Sequence, residues 1–137
     1  ALLTARENAH RLQAQVNFEW HDVLSLDEAA LAATPFDIIV SNPPYVCDCE
    51  RKDMTEQVLA HEPHTALFVP DNDPLLFYRA IADYGTTHLN PHGLLAFEIN
   101  PLFAKEMCEM LESKGYEQVE VKTDQYGKER VVIARKD

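Results

Sequence analysis

Residues 36–45 read FDIIVSNPPY and contain the most informative pattern in the chain. The run 36–41 is apolar and rich in β-branched side chains, which is typical of a buried strand in a parallel sheet. Pro43 and Pro44 end this strand, because neither residue has a backbone N–H to offer a neighbouring strand. Ligands of open α/β sheets bind at the carboxyl ends of the strands, so the sequence predicts a binding site at residues 42–45.

The tetrapeptide Asn42-Pro43-Pro44-Tyr45 has the chemistry of a rigid holder for a planar amino group. Pro43 disfavours a helical conformation at Asn42, and the fixed φ angles of both prolines stiffen the segment. The Asn42 side chain and the Pro43 carbonyl can each accept a hydrogen bond from one –NH2 group, and Tyr45 offers an aromatic face to stack on it. This arrangement would aim an amide or exocyclic amine nitrogen at an electrophile such as a sulfonium methyl. A rigid turn without a ligand is the alternative interpretation.

Predicted helices and strands alternate along the chain, which indicates an α/β fold. The first half reads as a helix through Leu12, a strand at 16–20, a short helix at 29–33, the strand at 36–41 and an irregular segment at 46–72. The second half reads as a helix that begins at Asp73-Pro74, a turn at 90–93, a strand at 94–99, a helix from Asn100-Pro101 to Gly115, and strands near 119–121 and 130–135. This order predicts a mostly parallel sheet whose last two strands form an antiparallel pair.

Composition excludes several classes of function. The net charge of −11 argues against a protein that binds the phosphate backbone of nucleic acids. The four glycines are dispersed, so neither a G-x-G-x-x-G loop nor a P-loop can be formed. No apolar run is long enough to span a membrane, and an odd number of cysteines without a signal-like start predicts a cytoplasmic location. The start at Ala1, already within a helical pattern, predicts that the chain is a fragment of a longer protein.

The cysteines and histidines do not predict a metal site. Cys47, Cys49, His61 and His64 lie in the irregular segment, but their C-x-C spacing departs from the usual C-x2–4-C, and the loop has no turn glycine. We therefore predict two exposed thiols in a polar loop and no metal. Cys108 lies beside Met107 on a predicted helix and is expected to be a core residue.

The motif Asn42-Pro43-Pro44-Tyr45 after a buried strand resembles the acceptor-binding motif of S-adenosylmethionine-dependent amino methyltransferases. Two groups share this motif: the adenine-N6 nucleic-acid methyltransferases and the protein-(glutamine-N5) methyltransferases of the HemK/PrmC family. Further segments along the whole chain, in the same order, resemble the second group. These segments are residues 1–9, 21–24, 62–63, 66–67, 93–98 and 126–132.

The resemblance implies an incomplete Rossmann-like class I methyltransferase domain, with strand order 3-2-1-4-5-7-6 and the first two strands missing. Residues 1–137 would form a single partial catalytic domain, without the N-terminal helical domain and the glycine-rich cofactor loop of that family. The strands at 16–20 and 36–41 would then lack neighbours, and exposed strand edges invite pairing with other chains. We therefore expect the fragment to self-associate through this edge, or to leave residues 1–20 displaced.

The resemblance also implies a reaction and its residues. S-adenosylmethionine would be the methyl donor, and the acceptor would be the glutamine N5 of the Gly-Gly-Gln loop of peptide chain release factors. Asn42 and Pro43 would be catalytic, the four residues Asn42, Pro43, Pro44 and Tyr45 would bind the substrate, and Asp22, Val23 and Asn42 would bind the cofactor. A turn or helix-cap role is the other interpretation of Asp22.

Two further acidic residues and three alternatives complete the expectations. Glu62 would order the acceptor loop or simply lie at the surface, and Glu98 would sit near the pocket.

The fragment alone is expected to be inactive and to have weak or no cofactor affinity, with no membrane and no direct nucleic-acid partner. The alternatives are an adenine-N6 nucleic-acid methyltransferase, which the charge of −11 disfavours, and a non-catalytic remnant domain. A ribosomal protein would be an alternative acceptor within the second group.

Overall fold

The computed structural model describes residues 1–28, 35–43, 46–47, 68–69 and 73–137. The chain divides into two compact units, Ala1–Leu31 and Ala32–Asp137. Among the described helices, none has the length and apolar character needed to cross a membrane.

The first unit contains helix α1 (Leu2–Arg11) and a short 3-10 segment at Val23–Glu28. Helix α1 confirms the helix that the apolar spacing at the start of the sequence predicts. The predicted strand at 16–20 is wrong, because residues 14–22 form neither helix nor strand. Val16 and Trp20 are 52% and 78% exposed. Alternating side chains favour an extended backbone, but a strand also needs a partner for its N–H and C=O groups, and the described part of this unit contains none. The predicted helix at 29–33 lies outside the described residues.

The second unit is built on a mixed four-stranded sheet. Its strands are β1 (Phe36–Ser41), β4 (Leu89–Glu98), β5 (Glu117–Thr123) and β6 (Glu129–Arg135), in the spatial order β1-β4-β6-β5. This order agrees with the 4-5-7-6 part of the expected topology. The expectation of a mostly parallel sheet is wrong for these strands, since only β1 and β4 pair in parallel. The short connection between β5 and β6 makes them a hairpin, and β6 then lies antiparallel to both of its neighbours.

Two very short strands modify the predicted irregular segment at 46–72. Strand β2 (Val46–Cys47) pairs in parallel with β3 (Phe68–Val69) in a separate two-stranded sheet. The expectation of no regular structure is therefore wrong at these four residues. The rest of the segment, including Glu62, lies outside the described residues.

Two helices cover the four-stranded sheet and complete its core. They are α2 (Leu76–His88) and α3 (Ala104–Ser113). Tyr78 packs edge-on against Phe97 of β4, with ring centroids 5.1 Å apart. The fully buried large side chains are Tyr78, Leu89, Phe97, Leu95, Ile99, Met107, Leu111 and Val132. All of these residues except Leu89 lie in segments that the sequence predicts to be helices or strands.

The two predicted proline-containing helix starts have different outcomes. Asn100 caps the turn Pro101–Phe103 before α3, as predicted, and its Oδ1 accepts the N–H of Leu102 at 3.0 Å. The predicted start at Asp73-Pro74 is wrong, because α2 begins at Leu76 with no side-chain cap. Both oxygens of the Asp73 carboxylate instead accept hydrogen bonds from the guanidinium of Arg79, at 2.9 and 3.1 Å. This contact lowers the pKa of Asp73.

The predicted turn at 90–93 is a bulge within strand β4. The register between β1 and β4 jumps from Phe36 opposite Leu89 to Ile38 opposite Leu94. His92 has a positive φ of 66°, which accommodates the extra residues. The Asn-Pro-His-Gly sequence therefore changes the register of the strand without ending it.

Strand β1 is largely exposed, so the prediction of a buried strand at 36–41 is right about the strand and wrong about its burial. Among the described strands its only partner is β4. Phe36, Ile38 and Val40 are 40%, 58% and 73% exposed. Self-association through this edge stays a prediction.

Candidate functional site

The candidate site lies at one edge of the four-stranded sheet. Ser41 pairs with Phe97, Phe97 with Val132, and Val132 with Val121, so one row of residues crosses all four strands. The carboxyl ends of β1 and β4 lie beyond this row, together with the turn between β5 and β6. Residues that follow Ser41 and Glu98 therefore share an edge with that turn.

Asn42 and Pro43 follow directly after β1 and have opposite environments. Asn42 is exposed, whereas Pro43 is buried. A buried proline with a fixed φ angle anchors the backbone, and the amide side chain before it remains accessible to another molecule. Pro44 and Tyr45 lie outside the described residues.

Asp22 and Val23 belong to the first unit. The Oδ1 atom of Asp22 accepts the N–H of Leu24 at 2.9 Å, and its carbonyl accepts the N–H of Ser25 at 2.9 Å. This geometry agrees with the turn interpretation of Asp22. The second oxygen, Oδ2, makes no hydrogen bond to a described residue. The turn therefore fixes the carboxylate while leaving one acceptor atom for a ligand.

Glu98 and Asn100 end strand β4 at the same edge as Asn42. Glu98 is half-buried, and its carbonyl accepts the hydroxyl of Tyr78 at 2.7 Å. Asn100 is 4% exposed and is the one buried polar residue of the described part of the chain. Its carbonyl accepts the N–H of Phe103 at 3.1 Å, so side chain and backbone together fix the turn that follows.

An open groove of about 550 Å³ lies between this turn and the turn that joins β5 to β6. It is lined by Asn100, Pro101, Leu102, Gly127, Lys128, Glu129 and Arg130. From the sequence, Asn100-Pro101 is predicted to be a helix cap, and residues 126–132 resemble the HemK/PrmC family. No local pattern indicated that the two would form one surface, since β4 and β6 bring them together only through pairing in the sheet.

The chain is similar in sequence to curated release factor glutamine methyltransferases. No protein-family model matches it. It is 48% identical to the release factor glutamine methyltransferase of Bacteroides thetaiotaomicron over 136 residues, which are 99% of this chain and 48% of that protein. The chain is a homologue of the release factor glutamine methyltransferases. This finding confirms the resemblance to the HemK/PrmC family.

A second relative agrees with this homology, and a solved structure has a similar fold. The release factor glutamine methyltransferase of Flavobacterium psychrophilum is 43% identical over 132 residues, which cover 96% of this chain and 45% of that protein. The chain thus spans about half the length of the curated relatives it matches. A methyltransferase from Pyrococcus furiosus has a similar fold, with a TM-score of 0.62 and 19% identity, over 98% of this chain and 57% of that one.

In this methyltransferase homologue, Asp124 organises the turn that forms one wall of the groove. Its Oδ1 accepts the N–H groups of Tyr126 and Lys128 at 2.8 and 3.0 Å, and its Oδ2 accepts Nε of Arg130 at 3.1 Å. The backbone hydrogen bond from Lys128 is the largest cause that lowers the pKa of Asp124, and Tyr126 and Arg130 lower it further. Asp124 is not among the residues predicted from the sequence, although an Asp three residues before a glycine is a recognisable turn signal.

Replacing Asp124 with alanine is expected to lower the Tm of the methyltransferase homologue, because alanine accepts none of these three hydrogen bonds. The folded-state pKa lies below the ordinary value of 3.8, so the carboxylate stabilises the fold fully above that pH. The contribution is lost as the pH falls through the folded-state pKa. The Tm difference between wild type and Asp124→Ala should therefore be constant near neutrality and shrink in acid, measured by circular dichroism. Glu109→Ala, an exposed carboxylate on α3, is the control, and a pH-independent difference for Asp124→Ala would contradict the prediction.

The remaining reactive side chains of the homologue do not form a second centre within the described ranges. No group of three or more His, Cys, Asp or Glu residues there could hold a metal ion. Cys49, His61 and His64 lie outside those ranges. Cys108 is half-buried, so the prediction of a core residue is wrong, and its partial burial raises the pKa of its thiol. A raised pKa keeps this thiol protonated at neutral pH, so it is a poor nucleophile.

Proposed function

We propose that this chain is part of the catalytic domain of an enzyme that methylates a glutamine side chain of a peptide chain release factor. The observation that carries the proposal is the exposed Asn42 before the buried Pro43, at the carboxyl end of β1, in a chain 48% identical to a release factor glutamine methyltransferase. The parallel pairing of β1 with β4 supports the proposal, because open α/β sheets bind ligands at the carboxyl ends of their parallel strands.

In this proposal, Asn42 and Pro43 hold the amide that is methylated. The Asn42 Oδ1 and the Pro43 carbonyl accept the two N–H groups of the glutamine side chain, which restricts the amide nitrogen to one orientation. As the nitrogen formed its bond to the methyl carbon, the carbon–sulfur bond of the donor would break and release a neutral thioether. The nitrogen would become positively charged, and the two acceptor oxygens would stabilise that charge. The nitrogen then loses one proton to solvent. Pro44 and Tyr45 complete the binding of the amide.

S-adenosylmethionine supplies an electrophilic sulfonium methyl in this reaction. Asp22 and the Val23 backbone would contact its adenine end, and Asn42 would face its methyl end. The available Oδ2 of Asp22 fits a hydrogen bond to an amino group, because a carboxylate is only an acceptor at neutral pH. The chain has no glycine-rich turn to bind the rest of the molecule. We therefore propose that residues 1–137 form one partial catalytic domain and that the chain alone has weak or no cofactor affinity and no activity.

The proposal is tested by methyl transfer from radiolabelled S-adenosylmethionine, with the longest polypeptide that contains this chain as the enzyme. We expect label on a release factor, at a glutamine identified by mass spectrometry. Adenine-containing DNA and ribosomal protein are offered in parallel, and the bare chain is expected to label nothing. Label on DNA alone would assign the enzyme to the adenine-N6 group. An absence of label on every acceptor would indicate a domain without catalytic function.

A further inference from the structure

We infer that the groove between residues 100–103 and 126–130 binds an extended, carboxylate-bearing segment of the acceptor protein, next to the residue that is methylated. This inference rests on the proposed function and adds a substrate-recognition site to it. The groove is lined by residues to which the reaction itself assigns no role, foremost Leu102 and Lys128.

The position of the groove fits a segment that continues from the methylated side chain. Strand β6 is separated from β1 by β4 alone, so the groove begins about 10 Å from Asn42 along the sheet edge. Extended chain covers this distance in about three residues. A polypeptide with its acceptor side chain at Asn42 therefore reaches the groove within a few residues, whereas a free amino acid does not.

Both walls of the groove are held in place before any ligand binds. Asn100 fixes the first wall through hydrogen bonds with the N–H groups of Leu102 and Phe103, at 3.0 and 3.1 Å. Asp124 fixes the second through its bonds to the turn residues. The N–H of Ile99 donates to the carbonyl of Arg130 at 2.9 Å and joins the two walls at their base. A surface ordered in advance loses little entropy when a partner binds.

The chemistry of the lining defines the occupant. Leu102 is 64% exposed beside the exposed Pro101, which provides an apolar wall for a side chain of the segment. Lys128 is exposed and forms no ion pair with any described residue, whereas Arg130 is paired with Asp124. Glu129 also lines the groove, and its negative charge contributes to the raised pKa of the Cys108 thiol on α3. In a protein of net charge −11, an unpaired ammonium at this site favours a carboxylate on the partner.

The test measures methyl-transfer kinetics of the longest polypeptide that contains this chain, with release factor as the acceptor. Lys128→Glu and Leu102→Asp are each expected to raise the KM for the release factor by about 10-fold. The kcat and the KM for S-adenosylmethionine should stay within about twofold, because neither residue contacts the reacting atoms. A short glutamine tripeptide, which ends before the groove, should show the same KM with all variants.

Control variants separate a local effect from a general one. Lys105→Glu and Leu3→Asp change exposed side chains of the same types that do not line the groove and should leave every constant unchanged. Lys128→Met keeps the length of the side chain without its charge and should give an intermediate KM. An unchanged release-factor KM in Lys128→Glu and Leu102→Asp would overturn the inference while the proposed function stands. If the unmodified enzyme methylates no protein, the proposed function fails and the inference falls with it.

Discussion

The Asn42→Ala variant is expected to lose about 100-fold or more of the kcat for glutamine methylation, with little change in thermal stability. The rate falls because alanine accepts no hydrogen bond, so the amide nitrogen is neither oriented nor stabilised as it gains positive charge. Stability is retained because the Asn42 side chain is exposed and contributes little to the core. The measurements are single-turnover methyl transfer at saturating acceptor and thermal unfolding of the same preparations.

Asn42→Asp tests whether Asn42 acts through its acceptor oxygen. Aspartate keeps an acceptor at the same position and is expected to retain more activity than alanine. Asn17→Ala replaces an exposed asparagine outside the site and serves as the matched control. If aspartate were as inactive as alanine, the donor half of the amide would be the essential group, and the proposed role of Asn42 would be wrong.

Gly85→Ala is expected to lower the free energy of unfolding by about 2–4 kcal/mol, through a clash with Tyr116. A Cβ atom at Gly85 would lie 2.3 Å from the hydroxyl oxygen of Tyr116. Tyr116 is 4% exposed, and its hydroxyl donates to the carbonyl of Ala82 at 2.6 Å, so the ring can move only by giving up that bond. Urea denaturation of the chain measures the loss.

The same contact predicts that Gly85→Ala becomes tolerable when Tyr116 is phenylalanine. Without the hydroxyl, the nearest atoms to the new methyl are Leu89 Cδ1 at 3.4 Å and the ring carbon Cζ at 3.6 Å, which are ordinary contacts. Alanine also favours the interior of α2 by about 1 kcal/mol over glycine. We therefore expect Gly85→Ala to cost almost nothing, or to stabilise, in the Tyr116→Phe background. Additive free energies in this double-mutant cycle would contradict the clash.

The Tyr116 hydroxyl also gives this pair a pH signature. Burial raises the pKa of Tyr116 to about 12, from an ordinary value of 10.0. The folded state therefore disfavours ionisation of Tyr116. The contribution of the protonated Tyr116 hydroxyl to stability is fully present below pH 10 and is lost as the pH rises toward about 12. Tyr116→Phe should lack this alkaline loss, which separates the hydroxyl from other causes of alkaline unfolding.

Local signals in the sequence predicted those parts of the fold that depend on local physics. The Asn100-Pro101 cap has the expected structure, and the β-branched run at Phe36–Ser41 forms the expected strand, although its side chains are largely exposed and not buried. The Asp73 carboxylate could equally cap a helix or bind Arg79, and only the tertiary arrangement decides between them. The segment 16–20 has the alternation of a strand, but side-chain alternation carries no information about whether a partner strand is present.

In the candidate site, too, features set by adjacent residues could be predicted, and features set by the tertiary arrangement could not. Asn42 and Pro43 are recognisable because four adjacent residues carry the motif. The groove cannot be recognised from the sequence, because its two walls lie about 25 residues apart along the chain. They meet only through the antiparallel pairing of β4 with β6. Asp124 and Asn100 hold those walls by hydrogen bonds to nearby N–H groups, and such bonds become meaningful as a site only when the sheet topology is known.

The position of β1 at the margin of the sheet has a consequence for local fluctuations of the protein. β1 has a partner on one side only among the described strands and leaves Phe36, Ile38 and Val40 largely in water, whereas β6 lies between two partners and contributes Val132 to the core. Strands with fewer buried contacts open at a lower free energy than the whole fold. Asn42 therefore follows a strand that is expected to separate more readily than β6, on which the groove rests. An acceptor bound to both would hold the two strands together, so that binding itself would suppress the opening of β1.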